Sequence, residues 1–279
     1  MSLSLISRAN RRLRLKTMGS IADKLLSYVN TALVHDTNYQ IAASMLNHYD
    51  KLEKMTLSEM AELCFVSKSA ITRYCHFLGF NDFSEFRDAL EQKFDMGEDY
   101  TKQFQKQMHE NSKEAIERYC QDIHSNIKKA FDSQNQEKLP EIIKSLQEAR
   151  RIVFLSHHFL CDIGHYFQSK MMMMGKYVEQ FVDYDMQLES VRTLEKEDLA
   201  IICSIGGSYP ARYDGIWNAM KCSRCRQLVI TQNEGSPYWN NADYILKCGE
   251  FNRNDVGKYA ALVIMDLLVM NYYTNVYIK

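Results

Sequence analysis

The second half of the chain alternates short apolar runs with segments of helical periodicity, and this alternation limits the folds that it can adopt. Strands that are joined by helical crossovers pair in parallel, so the pattern predicts βαβ units. The predicted strands are 151–155, 177–182, 199–203, 227–231 and 244–247. The predicted helices are 162–175, 210–220 and 258–273. We therefore expect a three-layer α/β domain with a mainly parallel sheet over residues 140–279.

Residues 20–94 instead show the pattern of short helices with tight turns, which predicts an all-α domain. The chain has 11 glycines and 3 prolines, which is too few for a turn-rich all-β fold. Thr37 followed by Gln40, and Thr56 followed by Glu59, each fit a capping box that opens a helix.

The segment Thr56–Gly79 has the layout of a helix-turn-helix, in which two short helices flank a turn of about three residues. Ser67 is expected to cap the second helix, over 68–78, and Gly79 takes the position of a left-handed C-terminal cap. Polar side chains recur on one side of that helix, as in a recognition helix whose outer face meets the major groove. The candidate DNA contacts are Ser67, Lys68, Ser69, Thr72, Arg73 and His76. The pattern alone fits an ordinary three-helix bundle with a mildly basic face equally well.

Residues 95–139 are polar and lack strand periodicity, so we expect a helical linker between the two domains. Helices are predicted over 113–131 and 137–149, with Pro140 in the first turn of the second, where proline is tolerated. Residues 1–19 form a basic extension that we expect to be disordered. Its basic residues are Arg8, Arg11, Arg12, Arg14 and Lys16.

The formal net charge of −1 excludes a polycation that coats nucleic acid, but it allows positive charge confined to one docking face. Eight irregularly spaced cysteines are too dilute for a disulfide scaffold and favour a reducing compartment. No stretch reaches the roughly 18 apolar residues that a membrane span requires, and the basic start lacks the apolar core of a signal peptide. We expect a cytoplasmic protein with no membrane partner.

A candidate anion site follows the predicted strand 199–203. Backbone N–H groups at the start of a helix, together with small hydroxyl side chains, favour phosphate. The carboxyl end of a strand is also where ligands bind in open α/β sheets. The residues at this position are Ser204, Gly206, Gly207 and Ser208.

The N-terminal motifs resemble those of the RpiR/MurR-type transcriptional regulators. The segments that carry the resemblance are Thr56–Glu62, Val66–Tyr74, Leu78–Phe80 and Phe83–Phe86. The resemblance implies binding to double-stranded operator DNA and a C-terminal sugar isomerase (SIS) domain. The turn Thr231–Pro237 followed by Ala242-Asp243 is similar to the "T-x-x-x-x-S-P…A-D" pattern of that domain.

The chain departs from the SIS pattern in its two phosphate loops. The resemblance aligns Ser156–Leu160 with a "G-x-G-x-S"-like loop, whose glycines and serine are then absent. Loss of glycine bars close approach of the backbone to a ligand. Two interpretations stay open: the domain binds a phosphorylated sugar as effector, or its pocket is degenerate and serves only dimerisation. For the first, the candidate ligand contacts are Ser156, His157, Ser204, Gly206, Gly207, Ser208 and Glu234.

A sugar-phosphate isomerase is the enzymatic alternative, with Glu234, His157 and His158 as the possible bases. We favour a regulator without catalytic residues, because an enzyme would leave the helix-turn-helix unexplained. Adjacent histidines in an extended segment point in opposite directions and rarely share a metal ion. Cys222 and Cys225 lack the second ligand pair of a zinc site. We therefore expect no metal or cofactor, and a homodimer or higher homo-oligomer, because a two-fold operator calls for a two-fold protein.

Overall fold

The computed structural model describes residues 21–90, 100–250 and 254–279. The predicted basic extension, residues 1–19, lies outside the described residues. The chain divides into two compact units, Met1–Phe94 and Asp95–Lys279. No helix in the described ranges is both long and apolar enough to cross a membrane.

The described part of the N-terminal unit is helical, as predicted. Its α-helices are α1 (Ile21–Thr31), α2 (Thr37–Asn47), α3 (Leu57–Leu63), α4 (Lys68–Phe77) and α5 (Phe83–Leu90), with a 3-10 turn at Tyr49–Lys54. The side chains that pack between them form one apolar core. Its fully buried members include Leu25, Ile41, Met45, Leu52, Met60, Ile71, Tyr74 and Phe86.

Short polar side chains set the starts of α2 and α3. Thr56 and Glu59 form the predicted capping box of α3, in which Glu59 accepts the N–H of Thr56 at 2.7 Å. The predicted box of Thr37 and Gln40 is wrong. Asp36 is the cap of α2 and accepts the N–H of Tyr39 at 2.9 Å, because its carboxylate stands one residue earlier and is a strong acceptor.

The turn between α3 and α4 is closed by local hydrogen bonds. The N–H of Val66 donates to the carbonyl of Ala61 at 2.9 Å, and Phe65 adopts a left-handed conformation with φ of 54°. Ser67 caps α4 by accepting the N–H of Ala70, as predicted. Gly79, with φ of 93°, ends α4 in the predicted left-handed cap.

The C-terminal unit is an α/β domain with five parallel strands in the order β2-β1-β3-β4-β5, which confirms the predicted sheet. The strands are β1 (Ile152–Leu155), β2 (Glu179–Gln180), β3 (Leu199–Cys203), β4 (Arg226–Thr231) and β5 (Tyr244–Lys247). The α-helices are α6 (Lys102–Glu110), α7 (Ser112–Ala130), α8 (Ser133–Glu148), α9 (Phe159–Met173), α10 (Tyr184–Arg192), α11 (Tyr209–Arg212), α12 (Asp214–Ser223) and α13 (Asn254–Tyr272).

Helices cover both faces of the sheet, as predicted for three layers. One apolar core joins one face of the sheet to α8, α9 and α13. A second core joins the other face to α10, α11 and α12. Successive strand residues alternate between the two cores, because neighbouring side chains of a strand point to opposite faces. Val153 packs in the second core and Phe154 in the first.

The predicted linker over 95–139 is corrected, because its described residues belong to the same compact unit as the sheet. The hydroxyl of Tyr119 in α7 donates to the carbonyl of Asp255 in α13 at 3.2 Å. Asn126 of α7 accepts the N–H of Glu250 at 2.9 Å. These contacts span more than a hundred residues of sequence, so local periodicity carries no sign of them.

Three further predictions in this unit differ from the structure. Pro140 lies inside α8 rather than in its first turn, because Asp132 caps that helix and starts it earlier than expected. The predicted strand 177–182 pairs only over Glu179–Gln180. Helix α10 was not predicted, and its start is fixed by Asp183, whose carboxylate accepts the N–H groups of Asp185 and Met186.

The outer edge of β5 is covered by side chains of α8. Asn135 exchanges two hydrogen bonds with the backbone of Lys247, at 2.9 and 3.0 Å. The ammonium group of Lys138 donates to the carbonyl of Ile245 at 2.8 Å.

Candidate functional site

The outer face of α4 is the first candidate surface. Lys68, Ser69 and Arg73 are exposed, and neither Lys68 nor Arg73 makes an ion pair with any described residue. All six predicted DNA contacts lie on this helix or at its cap. Two free cations on an exposed helical face can meet phosphates or base edges.

Four of the predicted DNA contacts already have partners within the unit. The hydroxyl of Thr72 donates to the carbonyl of Lys68 at 3.1 Å, and the Ser67 and Ser69 hydroxyls are 2.9 Å apart. The His76 ring contacts the carbonyl of Phe80 through Nδ1 at 3.0 Å. The second nitrogen of the His76 ring is not part of that contact.

The inner face of α4 holds the helix rigidly in the core. Ile71, Tyr74 and Cys75 are fully buried. Burial raises the pKa of the Cys75 thiol to about 12, so the thiol is neutral at ordinary pH and packs as an apolar group. The division between a packed inner face and a polar outer face is the sidedness that the sequence predicted.

The second candidate surface lies at the carboxyl edge of the sheet, between β1 and β3. These strands are neighbours, but the helices that follow them, α9 and α12, cover opposite faces. Such a switch of direction opens a crevice in which α/β proteins bind ligands. The structure therefore brings together the two loops that the sequence singled out, Ser156–His158 and Ser204–Ser208.

Within these loops, three of the predicted ligand contacts are buried. Ser156 is 1% exposed and its hydroxyl lies 3.5 Å from the sulfur of Cys161. Ser204 is also 1% exposed and accepts the N–H of Tyr209 at 3.2 Å. Gly207 is buried and adopts φ of 77°, which favours glycine. Ser208 is exposed, and with Gly206 it presents the accessible part of the loop.

Two side chains that the sequence did not single out fill the crevice. The amide of Gln187 in α10 donates to the carbonyls of Ser156 and Phe181, at 3.0 and 2.8 Å. The hydroxyl of Tyr209 donates to the Gln187 side-chain oxygen at 2.5 Å. Burial raises the pKa of Tyr209 well above its usual value, so its hydroxyl keeps the proton that it donates. Gln187 thus ties the loop after β1 to the helix after β3.

The two histidines take different positions at this edge. His157 is half-buried and stacks on Tyr209 with 6.0 Å between ring centroids. His158 has φ of 53° and ψ of −137°, a conformation that favours glycine. Holding another residue there costs about 1–3 kcal/mol, and such strain concentrates at functional sites. The position is one where the family pattern has a glycine.

Cationic side chains border the same loop. A guanidinium nitrogen of Arg212 lies 3.2 Å from Nε2 of His158. The ammonium group of Lys258 lies 5.4 Å from the centre of the Phe159 ring. We call Arg212, His158, Lys258 and the exposed Ser208 the edge rim. The rim offers an anion two cations and a hydroxyl outside the filled crevice.

The remaining candidates lie apart from this rim or lack a binding geometry. Glu234 is exposed and pairs with Lys247 at 3.2 Å. Cys222 is exposed whereas Cys225 is buried. Across the described ranges, no group of three or more His, Cys, Asp or Glu side chains is arranged to hold a metal ion.

Three residues at this edge were not predicted from the sequence: Gln187, Arg212 and Lys258. The local sequence around them gives a weak signal or none. Asp183 followed by apolar residues at helical spacing could have indicated α10, and with it Gln187. Arg212 and Lys258 are two of many basic residues, and only the tertiary fold places them beside His158 and Phe159.

Comparison with known proteins adds three likenesses. Residues 24–97 match the family model for the helix-turn-helix domain of the rpiR family. A curated HTH-type transcriptional regulator of Haemophilus influenzae is 26% identical, over 82% of both chains. Another, from Providencia stuartii, is 23% identical over 77% of this chain and 75% of its own.

Among solved structures, the Vibrio vulnificus NanR protein complexed with ManNAc-6P is similar in fold. Its TM-score is 0.51 at 16% identity, over 90% of this chain and 92% of that one. The likeness covers both units and confirms the predicted fold class.

Proposed function

We propose that the chain is a transcriptional regulator in which α4 reads operator DNA, from the premise that residues 24–97 match the helix-turn-helix domain of the rpiR family. The supporting observation is the outer face of α4, where Lys68 and Arg73 are exposed and have no acidic partner among the described residues. Arginine can bond guanine through two hydrogen bonds, whereas Lys68 at the first turn suits a phosphate. The operator is double-stranded and two-fold symmetric, so the chain acts as a homodimer or higher homo-oligomer.

We expect Arg73→Ala to weaken operator binding by about 5- to 150-fold, since one bidentate contact to a base contributes about 1–3 kcal/mol. The measurement is a gel shift on the DNA upstream of the chain's own gene, at fixed salt. Lys51→Ala is the matched control, because Lys51 is an exposed cation of the same unit outside α4. Undiminished binding by the Arg73 variant would show that α4 is not the recognition helix.

We propose further that a phosphorylated sugar binds at the edge rim and acts as the effector. The support is the placement of Arg212, Lys258 and Ser208 beside the loop after β1, at the switch point of the sheet. In a glycine-containing loop, backbone N–H groups can contact the anion. In this chain the glycines are absent, and side chains make those contacts instead. An effector regulates only if it binds the DNA-competent and DNA-incompetent states with different affinities.

The effector proposal predicts that a sugar phosphate raises the melting temperature of the full chain, whereas the unphosphorylated sugar does not. A ligand at 100 times its Kd stabilises the folded state by about 2.7 kcal/mol. Arg212→Gln should abolish the response, and Arg192→Gln, an exposed arginine of α10, should keep it. If a panel of sugar phosphates leaves the wild-type melting temperature unchanged, the domain serves assembly alone.

The site favours a regulator over a sugar-phosphate isomerase. Of the three candidate bases, Glu234 is paired with Lys247 at the surface and His157 is stacked among aromatic rings. The third, His158, has its Nε2 3.2 Å from a guanidinium nitrogen of Arg212. Cytoplasmic location follows from the DNA target.

A further inference from the structure

A groove on the far side of the α/β unit belongs to none of the sites described so far. It begins at the amino ends of β3 and β4, opposite the edge rim, as a cavity of about 750 Å³. A second cavity of about 460 Å³ continues it along α12 as far as Pro210 and Ala211, which precede Arg212 of the edge rim in α11. The two cavities share three lining residues, Lys221, Gln227 and Asn241, and therefore form one groove.

The first cavity is cationic. Lys196, Lys221 and Arg224 line it, and none of them makes an ion pair with a described residue. Arg226, a fourth cation, is 3.7 Å from Glu148. The Asp243 carboxylate is engaged by the N–H of Gln227 at 2.7 Å. Glu197 also lines this cavity, so its walls carry four cations and three carboxylates, a small excess of positive charge. The three cations that make no ion pair with a described residue can bind an anion there.

The side chain of Gln227 lines the same groove. Gln227 is only 6% exposed and lines both cavities. Its backbone N–H is bonded, but its side-chain amide makes no hydrogen bond within the described part of the chain. Since this amide borders the groove, its two donors and its acceptor are open to water or a ligand there. Gln227 is therefore placed to bind a polar group of a ligand.

The second cavity adds an aromatic surface and more amides. Tyr238 is 38% exposed and packs edge-to-face on Trp217, with 5.9 Å between ring centroids. Asn218 and Asn240 lie on the same walls. An exposed aromatic ring beside amide groups can stack a nucleobase and bond its edge.

From this arrangement we propose that the groove binds a nucleotide. The phosphates contact Lys196, Lys221 and Arg224, the Gln227 amide bonds the ribose or a phosphate oxygen, and the base stacks on Tyr238. At about 750 and 460 Å³, each cavity falls in the size range of small-molecule sites, and together they offer room for a ligand larger than a monosaccharide phosphate. The proposal is independent of the effector assigned to the edge rim.

The test is isothermal titration of the full chain with ADP, pyrophosphate and adenosine. We expect ADP to bind more tightly than either fragment. Lys221→Gln combined with Arg224→Gln should weaken ADP binding by about tenfold or more, because two charge-assisted contacts are lost. Tyr238→Ala should weaken ADP binding but leave pyrophosphate binding unchanged. Lys113→Gln, an exposed lysine of α7, is the matched control and should bind like the wild type.

Several results would overturn the proposal. They are an absence of ADP binding by the wild type, equal affinity for ADP and pyrophosphate, or unchanged ADP binding in the double variant. Arg212→Gln separates this groove from the edge rim, since it should remove the response to sugar phosphate and leave ADP binding intact. Each variant's fold is checked by circular dichroism, and Tyr238→Ala tests the groove through an exposed side chain should the double variant misfold.

Discussion

Replacing Gln187 by leucine should lower the free energy of unfolding of the α/β unit by about 3–6 kcal/mol. The side chain is buried and makes three hydrogen bonds, two to carbonyls and one to the Tyr209 hydroxyl. Leucine has a similar volume but leaves the Ser156 carbonyl and the Tyr209 hydroxyl buried without a partner, at about 1–3 kcal/mol each, and it removes the bond to the half-buried Phe181 carbonyl at a smaller cost. Urea denaturation followed by tryptophan fluorescence measures the change. Both tryptophans of the chain, Trp217 and Trp239, lie in this unit and report on it alone.

Tyr209→Phe is the matched control for that prediction. It removes only the hydroxyl, so Gln187 keeps its bonds to the carbonyls of Ser156 and Phe181, and the loss should be about 1–2 kcal/mol. A Gln187→Leu variant no less stable than the tyrosine variant would show that the crevice is not held by this network. Such a result would also imply that water or a ligand replaces the side chain.

Asp198→Asn should destabilise the same unit by about 2–4 kcal/mol, because charge-assisted hydrogen bonds are lost at a buried position. The carboxylate is fully buried and accepts two hydrogen bonds from Arg150, at 3.0 and 2.9 Å, and the N–H of Glu195 at 2.8 Å. Glu195→Gln is the control: that side chain also meets Arg150 at 2.9 Å, but both groups are about half exposed or more. An exposed pair contributes about 0–1 kcal/mol, so the control should be nearly silent.

The Asp198 variant should also respond less to acid. Burial raises the pKa of Asp198, but hydrogen bonds from Arg150 and Glu195 lower it more, so the pKa lies below the usual 3.8. A depressed pKa contributes stability that is present above the unfolded value and is lost as the pH falls through the folded one. Denaturation curves from neutral pH downward should converge for wild type and variant. Parallel curves would contradict the assigned ionised state.

Local chemistry made much of the helix-turn-helix predictable from sequence. The cap at Ser67 and the left-handed end at Gly79 depend on residues a few positions away, and both are confirmed. The same reasoning failed at Thr37, because Asp36, one residue earlier, is the acceptor that caps α2. Capping rules identify the start of a helix reliably only where a single nearby side chain can accept the free N–H groups of its first turn.

The ligand edge was predicted only in outline. The order of strands and helices is enough to bring the loops after β1 and β3 together. The filling of the crevice depends on Gln187, which meets Ser156 across 31 positions of sequence. The backbone of His158 shows a second limit, since it keeps a conformation that favours glycine although the glycine is absent. The absence of glycine predicted a changed loop at this position. The backbone conformation of that loop depends on the packing around it, which the local sequence does not show.

The covered edge of β5 has a consequence for how copies of this chain can associate. An exposed strand edge offers unpaired N–H and C=O groups, and it invites edge-to-edge aggregation or exchange of strands between molecules. Asn135 and Lys138 already bind three of the outward backbone groups of β5, at Lys247 and Ile245. A foreign strand would have to displace these bonds before it could pair. Contacts on that side of the sheet are therefore left to helical surfaces, whose side chains can select a partner in a way that a bare strand edge cannot.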